Sequence, residues 1–228
     1  MIVPVPILLV KPFTLKNCMT KKTDISELTI QRLSFYLRAL REMRDFGEVS
    51  ASSKDIAERV GSTPPQVRKD FSYFGSFGTK GRGYNIDELI ATLEKILGVD
   101  KKWKAALVGV GKLGQSLLQY KGLLKSGFEI VAIFEKDPAK IGRRMLGVPI
   151  YPTEDMPKVC ERETILLAII AVPFESAEEA FQRALDSGIR GILNFSGYCC
   201  FQPPPHAFIK NVNMAAEIEA LSYYITNH

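Results

Sequence analysis

The sequence predicts an α/β protein in two parts: a basic, helical first half, and a second half whose strands alternate with helices around a parallel sheet. Three observations carry this. Charge is uneven: residues 1–103 hold 17 Lys and Arg against 12 Asp and Glu, whereas residues 104–228 hold 13 of each. Helical periodicity fills the first half up to about residue 97, and short apolar runs separated by helical stretches fill the second. Between the first such run and its helix stands Gly109-Val-Gly-Lys-Leu-Gly114.

The composition, 46% hydrophobic and 24% charged over 228 residues, is that of an ordinary globular protein. No stretch approaches the ~20 apolar residues of a membrane-spanning helix. Met1–Val10 is apolar but short, and it lacks the charged start and small-residue cleavage site of a signal peptide. Met19 opens Met-Thr-Lys-Lys-Thr-Asp, so residues 1–18 read as a loose tail or as preceding the true start. Cys18, Cys160, Cys199 and Cys200 form no Cys-x-x-Cys and have no His at ligand spacing, which argues against a metal site and a disulfide framework. Free cysteines fit a reducing, cytoplasmic setting.

The first helix is expected over Asp24–Phe46, with Ile25, Leu28, Leu33, Leu37, Leu40 and Met43 on one face and Gly47 ending it. A second helix starts after Ser52 or Ser53 and ends at Gly61, with Ile56, Ala57 and Val60 inward. Ser62 and Thr63 cap a third, over about 64–73, whose Pro64 and Pro65 fall in the first turn. Two short helices joined by a glycine turn have the form of a helix-turn-helix. Phe74–Tyr84 interleaves glycines with aromatic and basic residues, which suits a hairpin with a glycine-rich tip. A fourth helix follows over Ile86–Leu97, then a linker over 98–102. In the second half, strands are expected near Ala105–Val108, Phe128–Phe134, Thr164–Val172 and Gly191–Phe195, with helices from the glycine motif to about Lys125 and over Ser176–Asp186. Met214, Ile218, Leu221 and Ile225 form an apolar seam on a last helix.

The glycine motif follows a strand and opens a helix. Its glycines permit a tight turn, close approach to a pyrophosphate and close helix–strand packing, which is the fingerprint of a dinucleotide-binding (Rossmann) domain. Glu135 ends the second apolar run, 21 residues after Gly114, where a carboxylate binds ribose hydroxyls and favours NAD. Lys136, Arg143 and Arg144 lie close by and keep NADP open. Hydride transfer to a carbonyl usually needs a proton donor, yet His206 follows three prolines and His228 is the last residue, and there is no Tyr-x-x-x-Lys pair. The pattern therefore points to a sensor without catalytic residues. A small NAD-dependent oxidoreductase with a basic helical appendage is the alternative. On the third helix Gln66, Arg68, Lys69, Ser72 and Tyr73 are placed to meet base edges or phosphates in a major groove. Lys80 and Arg82 at the hairpin tip suit a wing touching phosphates or the minor groove.

Gln66-Val-Arg-Lys-Asp-Phe-Ser-Tyr-Phe-Gly75, Gly78-Thr-Lys-Gly-Arg-Gly-Tyr84, Gly109-Val-Gly-Lys-Leu-Gly114 and Gly191-Ile-Leu-Asn-Phe195 together closely resemble the redox-sensing repressor family Rex, from about residue 25 onward. The resemblance implies an N-terminal winged helix-turn-helix domain (24–100) after a tail (1–23), a C-terminal Rossmann domain (101–212), and a dimerisation helix (213–228) swapped onto the partner. It also implies a homodimer on palindromic double-stranded operator DNA that senses the NADH/NAD+ balance, with NADH causing release. Carried over by position, Arg68, Lys69, Lys80 and Arg82 are the main DNA contacts. Gly109, Val110, Gly111, Lys112, Leu113, Gly114, Gln115 and Ser116 hold the pyrophosphate. Glu135, with Lys136 beside it, holds the ribose, and Val172, Pro173, Asn194 and Ser196 line the rest of the cofactor path. Arg38, Tyr120, Asn213 and Met214 sit where the family links the nicotinamide site to the DNA-binding domain. There the family pattern reads Asn-Val-Asp-Phe and this chain reads Asn211-Val-Asn213-Met214. Loss of the carboxylate weakens a charge-assisted bond to the arginine matched by Arg38, so poorer discrimination between NADH and NAD+ is expected.

Overall fold

The computed structural model describes residues 25–75, 77, 83–199 and 201–227. The tail over 1–23 and the wing-tip pair Lys80 and Arg82 lie outside the described residues.

The first half is a helical domain closed by a small sheet. Helix α1 (Glu27–Asp45) begins where the Ser26 hydroxyl accepts from the Thr29 amide. Its buried stripe is Thr29, Leu33, Tyr36, Leu37, Leu40 and Met43. Leu28, expected inside, is exposed, because Thr29 and Leu33 continue the 3.6-residue stripe and Leu28 stands one position off it. Strand β1 (Ser50–Ala51) leads to α2 (Ser53–Val60), which has a complete capping box between Ser52 and Asp55. Gly61, at φ +66°, turns the chain so that Thr63 caps α3 (Pro64–Ser72). Strand β2 (Tyr84–Asn85) pairs antiparallel with β1, so the segment after α3 is anchored on a strand that precedes the helix-turn-helix. Gly83 permits this: a Cβ there would stand 2.8 Å from the Ala51 carbonyl oxygen. Helix α4 (Ile86–Leu97) completes the core with Ile86, Leu89, Ile90 and Leu93. The linker after it is pinned by Trp103, whose indole N–H donates to the Gly98 carbonyl at 2.6 Å while the Lys101 ammonium sits 4.4 Å from the ring.

The second half contains β3 (Trp103–Val108), α5 (Lys112–Gln119), α6 (Lys121–Lys125), β4 (Phe128–Glu135), β5 (Arg144–Met145), β6 (Val148–Pro152), α7 (Met156–Glu163), β7 (Leu167–Ile170), α8 (Ala177–Asp186), β8 (Gly191–Asn194), β9 (Phe208–Asn211) and α9 (Met214–Asn227). The sheet runs β5-β6-β4-β3-β7-β8-β9, parallel throughout except for the β5 edge. From β6 to β9 this is the doubly wound order 3-2-1-4-5-6, with its switch point between β3 and β7. The expected single helix after the glycine motif is two helices, broken at Tyr120 where ψ is 98°. The run from Thr164 yields only a four-residue strand, because Thr164 is the left-handed C-cap of α7. The β5–β6 hairpin, α7 and β9 were not expected. The hairpin turns on Leu146 and Gly147, both at positive φ, a turn that Leu does not advertise.

One face of the sheet is covered by α7 and α8, with Tyr198 and Phe201 of the β8–β9 connection packed on Phe181. The other face is thinner. Leu107, Ile133 and Ile169 are buried beneath Leu117, Leu118 and Leu123 of α5 and α6, which are themselves only half-buried, as are Leu193 and Phe195 on the same face. Helix α9 buries none of its residues: Met214, Ile218, Leu221, Tyr223, Tyr224 and Ile225 are all exposed, the last at 82%.

Candidate nucleotide cleft and DNA-facing helix

The cleft opens at the C-terminal ends of β3, β4 and β7, the switch point where open α/β sheets bind ligands. It measures about 290 Å³ and brings together Gly109, Gly111, Glu135, Lys136, Val172 and Pro173 from the expected set. Three glycines do three different things. Gly109 has φ +88°, and a Cβ on it would lie 2.8 Å from the Ala171 carbonyl oxygen. A Cβ on Gly114 would stand 2.2 Å from the Gly109 carbonyl oxygen, so Gly114 lets α5 pack on the turn. Gly111 has an ordinary extended φ of −72°, and a Cβ there would meet nothing within 4 Å. The protein has no packing reason for that glycine, and its bare Cα faces the open cleft. Gly111 is also the N-cap of α5 and offers no side-chain acceptor, so the first amides of α5 are left for a ligand. These features fit a pyrophosphate.

Val110 is buried and its amide donates to Glu135 Oε2 at 3.1 Å. Lys112 is exposed, Leu113 half-buried, and Gln115 Nε2 and Ser116 Oγ donate to the carbonyls of Val110 and Lys112. Burial pushes the Glu135 carboxyl upward, but amides of Val110, Lys136 and Asp137 and the Lys140 ammonium outweigh it and hold its pKa below the usual value. Glu135 is therefore a fixed carboxylate at the end of β4. Asn194 and Ser196 lie further along the same sheet edge and are not in the cleft's lining. Asn194 is buried and saturated: it donates to the Tyr198 carbonyl and Asn211 Oδ1 and accepts from the amide and hydroxyl of Ser196. Its visible work is to order the 194–198 turn. Lys140, Thr153, Met156, Ser176, Glu179 and Arg183 line the cleft and escaped the sequence reading, because they come from turns and helices outside the strand–glycine–helix unit.

In the first half, α3 exposes Arg68, Lys69, Ser72 and Tyr73. Arg68 Nη1 donates to Ser53 Oγ at 2.8 Å, and Ser72 Oγ donates to the Lys69 carbonyl. Gln66 differs from expectation: its amide donates to Asp70 Oδ1 at 2.8 Å. Asp70 is fully buried and also accepts Arg32 Nε at 2.6 Å, Arg32 Nη2 at 2.7 Å and the Tyr36 hydroxyl at 2.9 Å. Desolvation raises the Asp70 pKa, but the Arg32, Tyr36 and Gln66 donors outweigh it and the net position is below the usual value. This four-bond network locks α3 against α1. The sequence signal was available: Asp70 sits between Val67 and Phe71 on the inward face of α3, a position that demands partners.

The residues matched to redox coupling are dispersed. Arg38 is exposed on α1 and Tyr120 is exposed at the α5–α6 break. Asn213 Oδ1 accepts the amides of Ala215 and Ala216 at 3.1 and 3.2 Å, so it caps α9, and Met214 is exposed in the first turn. Among the described residues no hydrogen bond or ion pair joins Arg38, Tyr120 and Asn213 within one chain.

Two family models match this chain: "CoA binding domain" over residues 100–197 and "Putative DNA-binding protein N-terminus" over 24–72. A curated relative named redox-sensing transcriptional repressor Rex, from Pelotomaculum thermopropionicum, is 41% identical, covering 89% of this chain and 95% of its own length. Another of that name from Desulfitobacterium hafniense is 42% identical, covering 90% and 97%. The solved structure of RSP with β-NAD+ and operator DNA superposes with a TM-score of 0.84 at 32% identity, covering 90% of this chain and 94% of that one. RSP with β-NADH gives 0.79 at 31% identity, covering 90% and 96%.

Proposed function

This chain belongs to the redox-sensing transcriptional repressor family Rex, and from that premise we propose how its two halves act on each other. It is a DNA-binding repressor and not an enzyme. Its second half takes NADH or NAD+, and NADH binding releases the protein from operator DNA. One observation carries this reading. A single chain aligned over about nine-tenths of its length with such repressors joins an exposed recognition helix to a glycine cradle at a sheet switch point. The oxidoreductase alternative falls with the same alignment. A repressor works where the DNA is, in the cytoplasm.

The backbone of Gly109–Gly114 and the free amides of α5 would hold the pyrophosphate, and Glu135 the adenosine ribose. The cofactor supplies only its own oxidation state. Lys69, Arg68, Ser72 and Tyr73 would meet the operator, with Lys80 and Arg82 in the wing. The repressor is a homodimer, and α9 is proposed as the helix swapped between protomers. Among the described residues the α9 seam has no cover in its own chain, and the α5–α6 face of the sheet, where Leu193 and Phe195 stay half-buried, is the more thinly covered one. The effector shifts the dimer between two arrangements only by its differential affinity for them. Calorimetry tests the binding step. One dinucleotide per chain is expected; a chain that takes up neither NADH nor NAD+ would sink the sensor reading.

A further inference from the structure

At the ribose end of the cleft the cations are already spoken for. Lys136, next to Glu135 in sequence, places its ammonium 2.6 Å from Glu179 Oε2. Arg183 lies 3.2 Å from Glu179 Oε1. Lys140 lies 3.5 Å from Glu135 Oε2 and 3.4 Å from Asp137. Glu135, Lys136, Lys140, Glu179 and Arg183 all line the same cleft. Glu179 belongs to the first turn of α8, in the opposite half of the doubly wound sheet, so its carboxylate reaches Lys136 across the cleft mouth while also pairing with Arg183 one turn along its own helix.

We infer that Glu179 is a specificity-determining residue that makes this cleft reject a ribose 2′-phosphate by occupying Lys136 and Arg183. The inference rests on the reading of the cleft as a dinucleotide site. A free ribose needs an acceptor, which Glu135 provides. A 2′-phosphate brings close to two negative charges and needs unpaired cations, which an arginine or lysine just past the β4 position would otherwise supply. Lys136 stands at that position, and its charge is spent on Glu179. Glu135 alone would leave a lysine and an arginine within the cleft lining able to draw in the phosphate; Glu179 removes that opportunity. As an exposed ion pair the Lys136–Glu179 contact does little for stability, so its effect is expected in ligand choice.

The test is the ratio of NADPH to NADH dissociation constants, measured by energy transfer from Trp103, the sole tryptophan, for the parent, Glu179→Gln and Glu179→Ala. Freeing two cations should tighten NADPH relative to NADH by about tenfold, the scale of one charge-assisted hydrogen bond. Adding Lys136→Ala to Glu179→Gln should remove most of that gain, and raised salt should shrink it. An unchanged ratio in both single variants, with NADH still bound, would overturn the role of Glu179 and leave the cofactor reading standing. A parent that bound neither dinucleotide would overturn both.

Discussion

Gly111→Ala separates ligand binding from folding. At φ −72° and ψ −167° alanine is unstrained, and its methyl would meet no protein atom within 4 Å. Two small terms act on stability. Alanine is a poorer N-cap than glycine, costing roughly 0.5–1 kcal/mol, and it removes backbone freedom from the unfolded chain, gaining about 0.4–1 kcal/mol. They nearly cancel, so Tm should stay within about 3 °C of the parent for a chain of this size. The methyl does project into the space that a pyrophosphate must approach. Loss of one backbone hydrogen bond to a charged group, about 1.5–3 kcal/mol, predicts roughly a ten- to hundredfold weaker NADH affinity. Gly114→Ala is the opposite case. Its Cβ would press to 2.2 Å on the Gly109 carbonyl oxygen, forcing α5 away and costing about 1–3 kcal/mol of stability. Thermal melts and NADH titration read by Trp103 energy transfer measure both variants. A Gly111→Ala protein that melts like the parent and binds NADH equally well would refute the cradle.

Asp70→Ala leaves the buried Tyr36 hydroxyl and the Arg32 guanidinium, 28% exposed, without their acceptor; denaturant unfolding should show a loss of about 3 kcal/mol, the low end for a broken buried pair. Because the Asp70 pKa is lowered on folding, its stabilisation is complete above the usual carboxylate range and is lost as pH falls through the lowered value; the parent's acid-induced loss should flatten in Asp70→Ala, and an unaltered acid limb would contradict this. Deleting residues 214–228 should convert the dimer to monomers by sedimentation, with weak DNA binding; a surviving dimer would refute the swap. Lys69→Ala should weaken binding to all DNA sequences alike and lower the slope of log affinity against log salt by about one. Asn213→Asp should widen the difference between NADH and NAD+ in releasing DNA, since a carboxylate restores a charge-assisted bond; an unchanged difference would show that residue 213 serves only to cap α9.

What the sequence displayed were features written in local pattern. Helix α4 was legible from its apolar spacing, and the glycine motif with Glu135 located the cleft because a strand, a turn and a helix N-terminus are contiguous. What it hid depends on residues distant in the chain. Glu179 and Arg183 reach the cleft only because β7 lies beside β3. The bond from Gln66 to Asp70, which in turn holds Arg32 38 positions away, was not visible in the local pattern that placed Gln66 on the outer side of α3. The β5–β6 hairpin hid behind Leu146 at positive φ, and the short strand β9, Phe-Ile-Lys-Asn, carries no alternation that would mark it.

Release of this protein from DNA by NADH can be followed on a preformed complex. Full-length protein bound to a fluorescent palindromic operator would be titrated with NADH and, separately, with NAD+, following anisotropy. Release by NADH at concentrations where NAD+ leaves the complex intact is the predicted result. A complex that survives saturating NADH, with NADH binding verified in the same sample, would contradict it.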